Sequence, residues 1–338
     1  MTQMFCRAAV AVFALFGGAA RAQAPDEFYK GKQISMLVYS GAGSTYDTYA
    51  RLLSHHMSDH IPGHPLFVTQ YMVGAGGLKE VDYLNRIAAK DGTAFGTIGR
   101  GLAFESMLGQ DNHFDPLQFT WIGSMNRENT MALSWHTSKV KTFEDLMKTQ
   151  LLVPGSGVGA DSEIMPRAYN NLAGTKFKII SGYRDTSEAA LQMETGELDG
   201  LAYWSWSAIL ALHPDWVRDK KINLLFQTGQ KPIPEAPDVP RIREKVADPV
   251  SRQAMELLLA RETIGRPFLA PPGLPPARAK ILRDAFAETM RDPAFIEEAQ
   301  RGNIEVDLVS GDEVDALLRK SLSSPAEVVD RLKKALGR

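Results

Sequence analysis

The chain contains very little cysteine and no long run of charges of one sign. Cys6 is the only cysteine among 338 residues, which excludes a disulfide framework within the chain. The formal net charge is −2 and no basic cluster is present, so the composition argues against a nucleic-acid-binding protein. The G-x-x-x-x-G-K-[ST], H-E-x-x-H and G-x-S-x-G motifs are missing as well. These absences count against phosphate-loop, zinc-protease and serine-hydrolase chemistry.

Long apolar runs are scarce too, and the one near the N-terminus is short. Ala8 to Ala20 is almost wholly apolar and follows Arg7. At about 13 residues it is shorter than the roughly 20 that a membrane-spanning helix needs, which disfavours the alternative of a transmembrane anchor. Ala20-Arg21-Ala22 fits a small-x-small cleavage site, so residues 1–22 are predicted to be a signal peptide. Cleavage is expected after Ala22, with Ala24 as the alternative.

Removal of residues 1–22 changes the expected properties of the chain. It takes away Arg7, Arg21 and Cys6, so the net charge falls from −2 to −4 and no thiol is left. No cysteine metal site or lipid-modified cysteine is then possible. An exported, cysteine-free protein of this composition is expected in the periplasm.

The remaining chain alternates short β-rich runs with amphipathic helical runs. The full sequence has 44% hydrophobic and 23% charged residues, which is ordinary for a soluble protein, and its length predicts two domains. Repeated strand, glycine turn and helix units predict an α/β fold with mostly parallel sheets flanked by helices. Capping boxes are predicted at Ser44–Asp47, Thr142–Asp145, Ser310–Glu313 and Ser324–Glu327.

The stretch from Tyr39 to Arg51 combines three signals of an anion-binding turn. An apolar run of strand length, 33–38, precedes it, and Gly41 and Gly43 allow a tight turn. Ser44 is predicted to cap the helix that follows, leaving unpaired N–H groups at its positive end. Such a position favours a carboxylate or phosphate. A dinucleotide turn is not predicted, because Tyr46 replaces the third glycine of G-x-G-x-x-G.

Other glycine-rich turns follow later strands in the same way. Val73–Gly77 is the second, Gly99–Gly101 the third, and Gly155–Ser162 repeats the first device in the second half of the chain. In parallel sheets, ligands bind beyond the carboxyl ends of the strands, where these turns lie. We therefore expect the turn at 155–162 to form the facing half of a cleft.

Four motifs follow one another in order along the chain, with support from 237–240 and 265–275. They are the first glycine turn with Tyr46-Asp47 and Arg51, Gly74-Ala75-Gly76-Gly77, Lys90-Asp91-Gly92-Thr93 and Gly196-Glu197-Leu198-Asp199-Gly200. Together they resemble one known family, the periplasmic solute-binding receptors of tripartite tricarboxylate transporters, called TctC or Bug proteins. The resemblance covers nearly the whole chain after residue 22 and places Tyr71 and Val73 where the family usually has Asn and Pro.

The resemblance implies a two-lobed flytrap that closes over a small carboxylate, aliphatic or aromatic. Domain one would comprise 26–126 plus 262–338, and domain two 127–261. The implied partners are the permease subunits of a tripartite transporter or, alternatively, a sensor kinase. No cofactor is implied, and we expect a monomeric binding protein. An exported enzyme is the less favoured alternative.

Several candidate residues also have structural interpretations. Arg100 could clamp a second carboxylate or pair with an acid within the fold. Tyr183 could reach the cleft or pack between domains. Trp204 and Trp206 could stack on a ligand or belong to the core, and Asp199 could contact a ligand or order the loops. The predicted ligand contacts are Ser40, Gly41, Ala42, Gly43, Ser44, Thr45, Gly74, Ala75, Gly76, Gly77, Arg100, Ser156, Gly157, Val158, Gly159, Tyr183, Asp199 and Trp204.

Histidines cluster near the end of the first predicted helix. His56 and His60 lie one helical turn apart, with His55, Asp59 and His64 nearby. This spacing is compatible with a surface metal site. The sequence favours a solvated helix end instead, because Pro62-Gly63 terminates the helix and the histidines lie far from the glycine turn.

Overall fold

A computed structural model of the chain describes residues 28–108, 114–157, 160–183 and 186–338. The predicted signal peptide therefore lies outside the described residues. The strands are β1 Gln33–Val38, β2 Leu66–Tyr71, β3 Ala94–Thr97, β4 Thr120–Ser124, β5 Thr130–Trp135, β6 Leu151–Gly155, β7 Phe177–Ser181, β8 Gly200–Ser205, β9 Ile222–Gln227, β10 Pro267–Ala270 and β11 Val309–Ser310.

Helices connect and cover these strands, and short 3₁₀ turns occur at 58–60, 75–77, 102–108, 242–245 and 260–264. No helix in the described ranges combines the length and the apolar character needed to cross a membrane. The helices are α1 Thr45–Met57, α2 Leu78–Arg86, α3 Phe143–Leu146, α4 Asp161–Ala173, α5 Thr186–Glu194, α6 Trp206–Leu212, α7 Pro214–Arg218, α8 Pro249–Leu259, α9 Pro276–Thr289, α10 Pro293–Arg301, α11 Gly311–Leu322 and α12 Ala326–Leu336.

The largest layer is a six-stranded sheet with the order β11-β4-β10-β3-β1-β2. Its strands come from 33–124 and from 267–310, and we call this sheet with its flanking helices lobe one. Side chains alternate across β1: Met36 and Val38 join a core with α1, α9 and α10, while Leu37 joins a core with α2 and α11 on the opposite face. Burial on both faces explains why Met36, Leu37 and Val38 are consecutive apolar residues.

Lobe two contains two smaller sheets built from 130–227. One has the order β8-β5-β9 and the other pairs β6 with β7. Aromatic side chains fill the space around the first sheet, where Trp135 and Trp204 each contact Trp216 edge-on. The α/β fold predicted from the alternation of elements is confirmed.

Strand direction differs in part from the prediction of mostly parallel sheets. β1 pairs in parallel with β2 and β3, and β6 with β7. However, β5 is antiparallel to both of its neighbours, and β10 is antiparallel to β3 and β4. β10 is the segment that returns from lobe two, so it enters the sheet from the opposite direction between strands laid down earlier in the chain.

The predicted helix starts are borne out at three of four positions. Thr142 and Ser310 form reciprocal capping boxes with Asp145 and Glu313. Ser44 accepts from the N–H of Asp47, as predicted, but the reciprocal half of that box is absent because the Asp47 carboxylate accepts from the Gly43 N–H instead. The box at Ser324 is wrong, because Pro325 has non-helical dihedral angles and no side chain caps α12.

The C-terminal helix does not follow the predicted division of the chain. Residues 262–338 were expected in domain one, but α12 packs against α4 and α8 of lobe two. Its side chains Val328, Leu332 and Leu336 join the core of that lobe. The physical reason is the apolar face of α12, which these residues form at helical spacing.

Candidate functional site

The turn between β1 and α1 is held by side chains that contact its backbone. Ser44 caps α1, and its hydroxyl lies 2.6 Å from that of Ser40. The Asp47 carboxylate accepts from the Gly43 N–H at 2.8 Å and from the Tyr71 hydroxyl at 2.9 Å. Tyr71 therefore ties this turn to the end of β2, which gives a structural role to a residue that departs from the family pattern.

Two backbone donors remain at the N-terminus of α1. The N–H of Ser44 donates to the Gly41 carbonyl and that of Asp47 to the Ser44 hydroxyl. The N–H groups of Thr45 and Tyr46 donate to no acceptor among the described residues. Such donors at the positive end of a helix attract an anion.

The turn after β2 provides a second pair of donors. Its backbone has positive φ from Gly74 to Gly77, with 47° at Ala75 and 64° at Gly76. The N–H groups of Gly77 and Leu78 bond back to the carbonyls of Gly74 and Ala75. Within the described chain, this leaves the N–H groups of Ala75 and Gly76 without an acceptor. Glycine is required where φ reaches 148° and 102°, at Gly74 and Gly77.

Sheet register places the two turns side by side. β1 and β2 are parallel neighbours, and Val38 at the end of one lies opposite Tyr71 at the end of the other. The four free amides, of Thr45, Tyr46, Ala75 and Gly76, all belong to residues that line one cleft of about 910 Å³. We call these four N–H groups the amide seat.

Lobe two supplies the opposite wall of the cleft. Ser156 and Ser162 contribute hydroxyls that lie 2.8 Å apart. The N–H groups of Ser156 and Gly157 are already bonded, to the Ser162 hydroxyl and to the Glu163 carboxylate. Two of the amide donors predicted at this turn, those of Ser156 and Gly157, are thus used within the fold. The apolar part of the wall is formed by Ile164, Trp204, Ala208, Ala211 and Leu212.

A buried charge cluster forms the floor where the lobes meet. Arg100 and Arg266 both donate to the same oxygen of Glu128, each at 3.0 Å, and Ser205 donates to the other oxygen at 2.6 Å. Burial on its own would raise the pKa of Glu128, but Arg266 and Arg100 outweigh it and hold that pKa below its usual value. Glu128 is therefore an ionised carboxylate that connects residues of both lobes.

Tyr203 extends this cluster through hydrogen bonds on both sides. Its hydroxyl accepts from Arg100 at 2.5 Å and donates to Glu262. Burial raises the pKa of Glu262 to about 7, with Arg100 opposing the shift and Glu128 adding to it. Arg100 thus bridges from lobe one to Glu128 and Tyr203. Its predicted role as a bidentate ligand clamp is not the arrangement observed, since both ends of its fork are occupied.

The other arginines lining the cleft are paired as well. Arg261 donates to Asp161 at 3.2 Å, and Arg338 donates to Glu105 at 2.6 Å. Among the described lining residues, then, every arginine has an acidic partner. The charge of these arginines is therefore balanced within the fold, and backbone amides and hydroxyls are among the donors left open to a bound anion.

Half of the predicted contacts line the cleft, namely Ser40, Gly43, Ser44, Thr45, Ala75, Gly76, Arg100, Ser156 and Trp204. Val158 and Gly159 lie outside the described residues. The remaining candidates, which do not line the cleft, are Gly41, Ala42, Gly74, Gly77, Gly157, Tyr183 and Asp199.

Two of these displaced candidates have clear structural partners. Asp199 accepts from the N–H of Leu152 at 3.0 Å and so joins the ends of two strands, which is its predicted alternative role. Tyr183 donates to Glu197 at 3.1 Å and packs partly on the lobe-two core. Trp204 lines the cleft but is nine-tenths buried between His213 and Trp216.

Sequence reasoning missed the residues of the cleft floor. Glu128, Tyr203 and Glu262 belong to no quoted motif, and Arg266 lies in the supporting segment 265–275 without being singled out there. The four residues come from three segments more than fifty residues apart in the chain. The one available signal was position, because 127 and 262 are the predicted crossovers between domains. Among the described residues, one group contains three side chains of metal-ligating type. It lies outside the cleft lining and consists of His55, His56 and Glu298.

Comparison with known proteins was made by sequence and by structure. No family model matches the chain. A UPF0065 protein of Agrobacterium vitis, from the TAR-I ttuE-ttuC' intergenic region, is 23% identical over 318 residues, covering 91% of this chain and 86% of its own length.

Solved structures resemble the chain over nearly its full length. A TctC solute-binding protein from Polaromonas has a TM-score of 0.70 at 18% identity, covering 90% of this chain and 99% of its own. The periplasmic binding protein BugD has a TM-score of 0.64 at 19% identity, covering 91% and 98%.

The chain has the fold of the TctC and Bug solute-binding proteins. MatC from Rhodopseudomonas palustris, determined with bound malate, has a TM-score of 0.63 at 17% identity and covers 90% of this chain and 99% of its own. The resemblance expected from the ordered glycine motifs is therefore confirmed, and so is the two-lobed α/β class.

Proposed function

We propose that this TctC/Bug-fold protein is a receptor that binds a small carboxylate between its two lobes without chemical conversion. The observation that carries the proposal is the amide seat, the four free N–H groups of Thr45, Tyr46, Ala75 and Gly76 that line the cleft. Each hydrogen bond from such a donor to a charged acceptor contributes about 1.5–3 kcal/mol. A carboxylate fits because it is acceptor-only and has two oxygens for several donors.

The pairing of charges in the cleft also supports recognition of the anion by backbone amides. The lining arginines are paired with acids, so recognition of the ligand would rest on the amide seat and on the hydroxyls of Ser40 and Ser156. Malate in MatC is an example of a carboxylate bound by a protein of this fold. The ligand of this chain belongs, on this proposal, to the same chemical class, aliphatic or aromatic.

Closure of the lobes would turn binding into a signal. A ligand that contacts both walls of the cleft stabilises the closed arrangement by its additional contacts there. The contacts from Arg100 to Tyr203 and from Arg100 to Glu128 already connect the lobes beside the cleft floor. We take 26–126 plus 262–324 as lobe one and 127–261 plus 325–338 as lobe two, which moves α12 from the division predicted by sequence.

The proposed compartment is the periplasm, following the predicted signal peptide and the periplasmic neighbour BugD. The proposed partners are the membrane subunits of a tripartite transporter, with a sensor kinase as the alternative. A test is uptake in cells that lack the protein. Loss of uptake of the bound acid supports transport, while normal uptake with a lost transcriptional response supports sensing.

Calorimetry against a panel of mono- and dicarboxylates tests the binding function directly. We expect binding near one-to-one for at least one acid and no binding of neutral or cationic analogues. Thr45→Glu places a carboxylate on the seat at a helix position that tolerates acidic residues, so the fold is kept while the affinity is lost. Thr45→Gln is the neutral control. If only neutral or cationic solutes bind, or if Thr45→Glu binds the acid normally, the proposal fails.

A further inference from the structure

Three potential metal ligands converge at the end of lobe one opposite the amide seat. His55 and His56 end α1, and Glu298 belongs to α10, more than 240 residues away in the chain. The Nδ1 atom of His55 lies 3.0 Å from Oε2 of Glu298, and Nε2 of His56 lies 2.8 Å from the same oxygen. All three ligand atoms lie within 4.8 Å of one another.

Two of these side chains are held in place by their surroundings. The His56 side chain is only 12% exposed, and its ring packs edge-on against Phe295 at 5.6 Å. Glu298 lies one helical turn after Phe295 on α10, so the same packing fixes the position from which its carboxylate reaches His56. The His55 side chain is 69% exposed and can adjust to a metal ion at little cost.

The donor set determines which ion this position would accept. Two imidazole nitrogens and one carboxylate oxygen form the ligand set of open zinc sites, which keep a further position for water. Calcium and magnesium prefer shells made entirely of oxygen. We propose that His55, His56 and Glu298 form a surface site for a zinc-type divalent ion that links α1 to α10.

Such a site would hold two helices of lobe one together. α1 carries two amides of the seat at its N-terminus, and α10 packs beside it in the core of lobe one. An ion bound by both helices stabilises the folded lobe by an amount that grows with the logarithm of its concentration relative to its dissociation constant. The proposal concerns residues outside the cleft, so it stands or falls separately from carboxylate binding.

Titration of tag-free protein with ZnCl₂ tests the site, with calorimetry for stoichiometry and affinity and a thermal melt for stability. We expect one zinc ion per chain, a rise in Tm that EDTA reverses, and no comparable response to MgCl₂. His56→Ala and Glu298→Gln should each weaken zinc binding by at least about tenfold.

His60→Ala is the matched control. His60 is another histidine at the same end of lobe one, and it bonds Asp292 at 2.9 Å instead of Glu298. We expect the His60→Ala variant to bind zinc with the same affinity as the unsubstituted protein. Equal affinity in His56→Ala and Glu298→Gln, or loss of binding in His60→Ala alone, overturns the assignment. Because melts without metal are recorded for each variant, a folding defect is recognised separately.

Discussion

Replacing Thr45 by proline removes one donor of the amide seat and little else. Thr45 is the first residue of α1, where proline is tolerated because its N–H has no partner within the helix. The preceding residue, Ser44, has φ of −70° and ψ of 161°, the extended conformation that a following proline requires. Thr45→Pro should therefore fold normally with one fewer hydrogen bond for the ligand.

The size of the effect follows from the kind of bond that is lost. A hydrogen bond from a backbone N–H to a carboxylate contributes about 1.5–3 kcal/mol. That free energy corresponds to a rise in Kd of about 10- to 150-fold. Thr45→Ala keeps the N–H and loses only an exposed side chain, so its Kd should stay within about threefold of the original.

Calorimetry with the best acid from the panel provides the assay, and thermal melts without ligand check the fold. We expect a large rise in Kd for Thr45→Pro with an unchanged Tm, and only a small change in Kd for Thr45→Ala. If both variants bind equally well, the N–H of Thr45 does not contact the ligand. If both lose affinity equally, the Thr45 hydroxyl and not the amide is the contact.

Three further predictions concern buried carboxyls, each measured by urea denaturation. Burial raises the pKa of Glu80 well above 4.5, so stability falls by about 1.4 kcal/mol per pH unit above 4.5 until the folded pKa is reached, and Glu80→Gln should remove this slope. Glu128→Gln should cost about 3 kcal/mol or more, because Arg100 and Arg266 lose their shared carboxylate. Burial raises the pKa of Glu262 to about 7, so the free energy of unfolding of the original protein should fall by about 3 kcal/mol between pH 4.5 and 7 because of this group. Glu262→Gln should remove that fall.

The direction of these pH effects follows from proton binding. Above pH 4.5 the unfolded carboxyl ionises while the folded one keeps its proton, so rising pH favours the unfolded chain. Burial also raises the pKa of Glu305 to about 7. This group titrates in every variant, so the difference between each variant and the original protein isolates the substituted residue. If the stability of Glu80→Gln depends on pH as steeply as that of the original protein, Glu80 is solvated. If Glu128→Gln is as stable as the original protein, Arg100 and Arg266 have other partners.

Local signals in the sequence were sufficient for the elements around the amide seat. Ser44 begins α1 as predicted because a cap depends on residues three positions apart. The glycines at 74, 76 and 77 have the positive φ that their turn requires. The strand before each turn was recognisable by its apolar run, and the order of motifs along the chain indicated the fold.

Contacts between distant segments escaped the same reasoning. The amides of Ser156 and Gly157 were expected to face a ligand, but Ser162 and Glu163 satisfy them first. Arg100 was expected at the cleft, and it is there, but Glu128 and Tyr203 occupy its donors. Whether a polar group is free depends on every neighbour in space, and the sequence gives neighbours only along the chain.

The sequence by itself determined the alternation of strands and helices, the capped start of α1 and the positions of the glycine turns, because each depends on residues within one or two turns of backbone. Only the tertiary structure decided that β1 and β2 place four free amides in one cleft, that the arginines there are paired, and that α12 packs on lobe two. Those outcomes depend on sheet order, crossovers and packing, which join residues far apart in the chain.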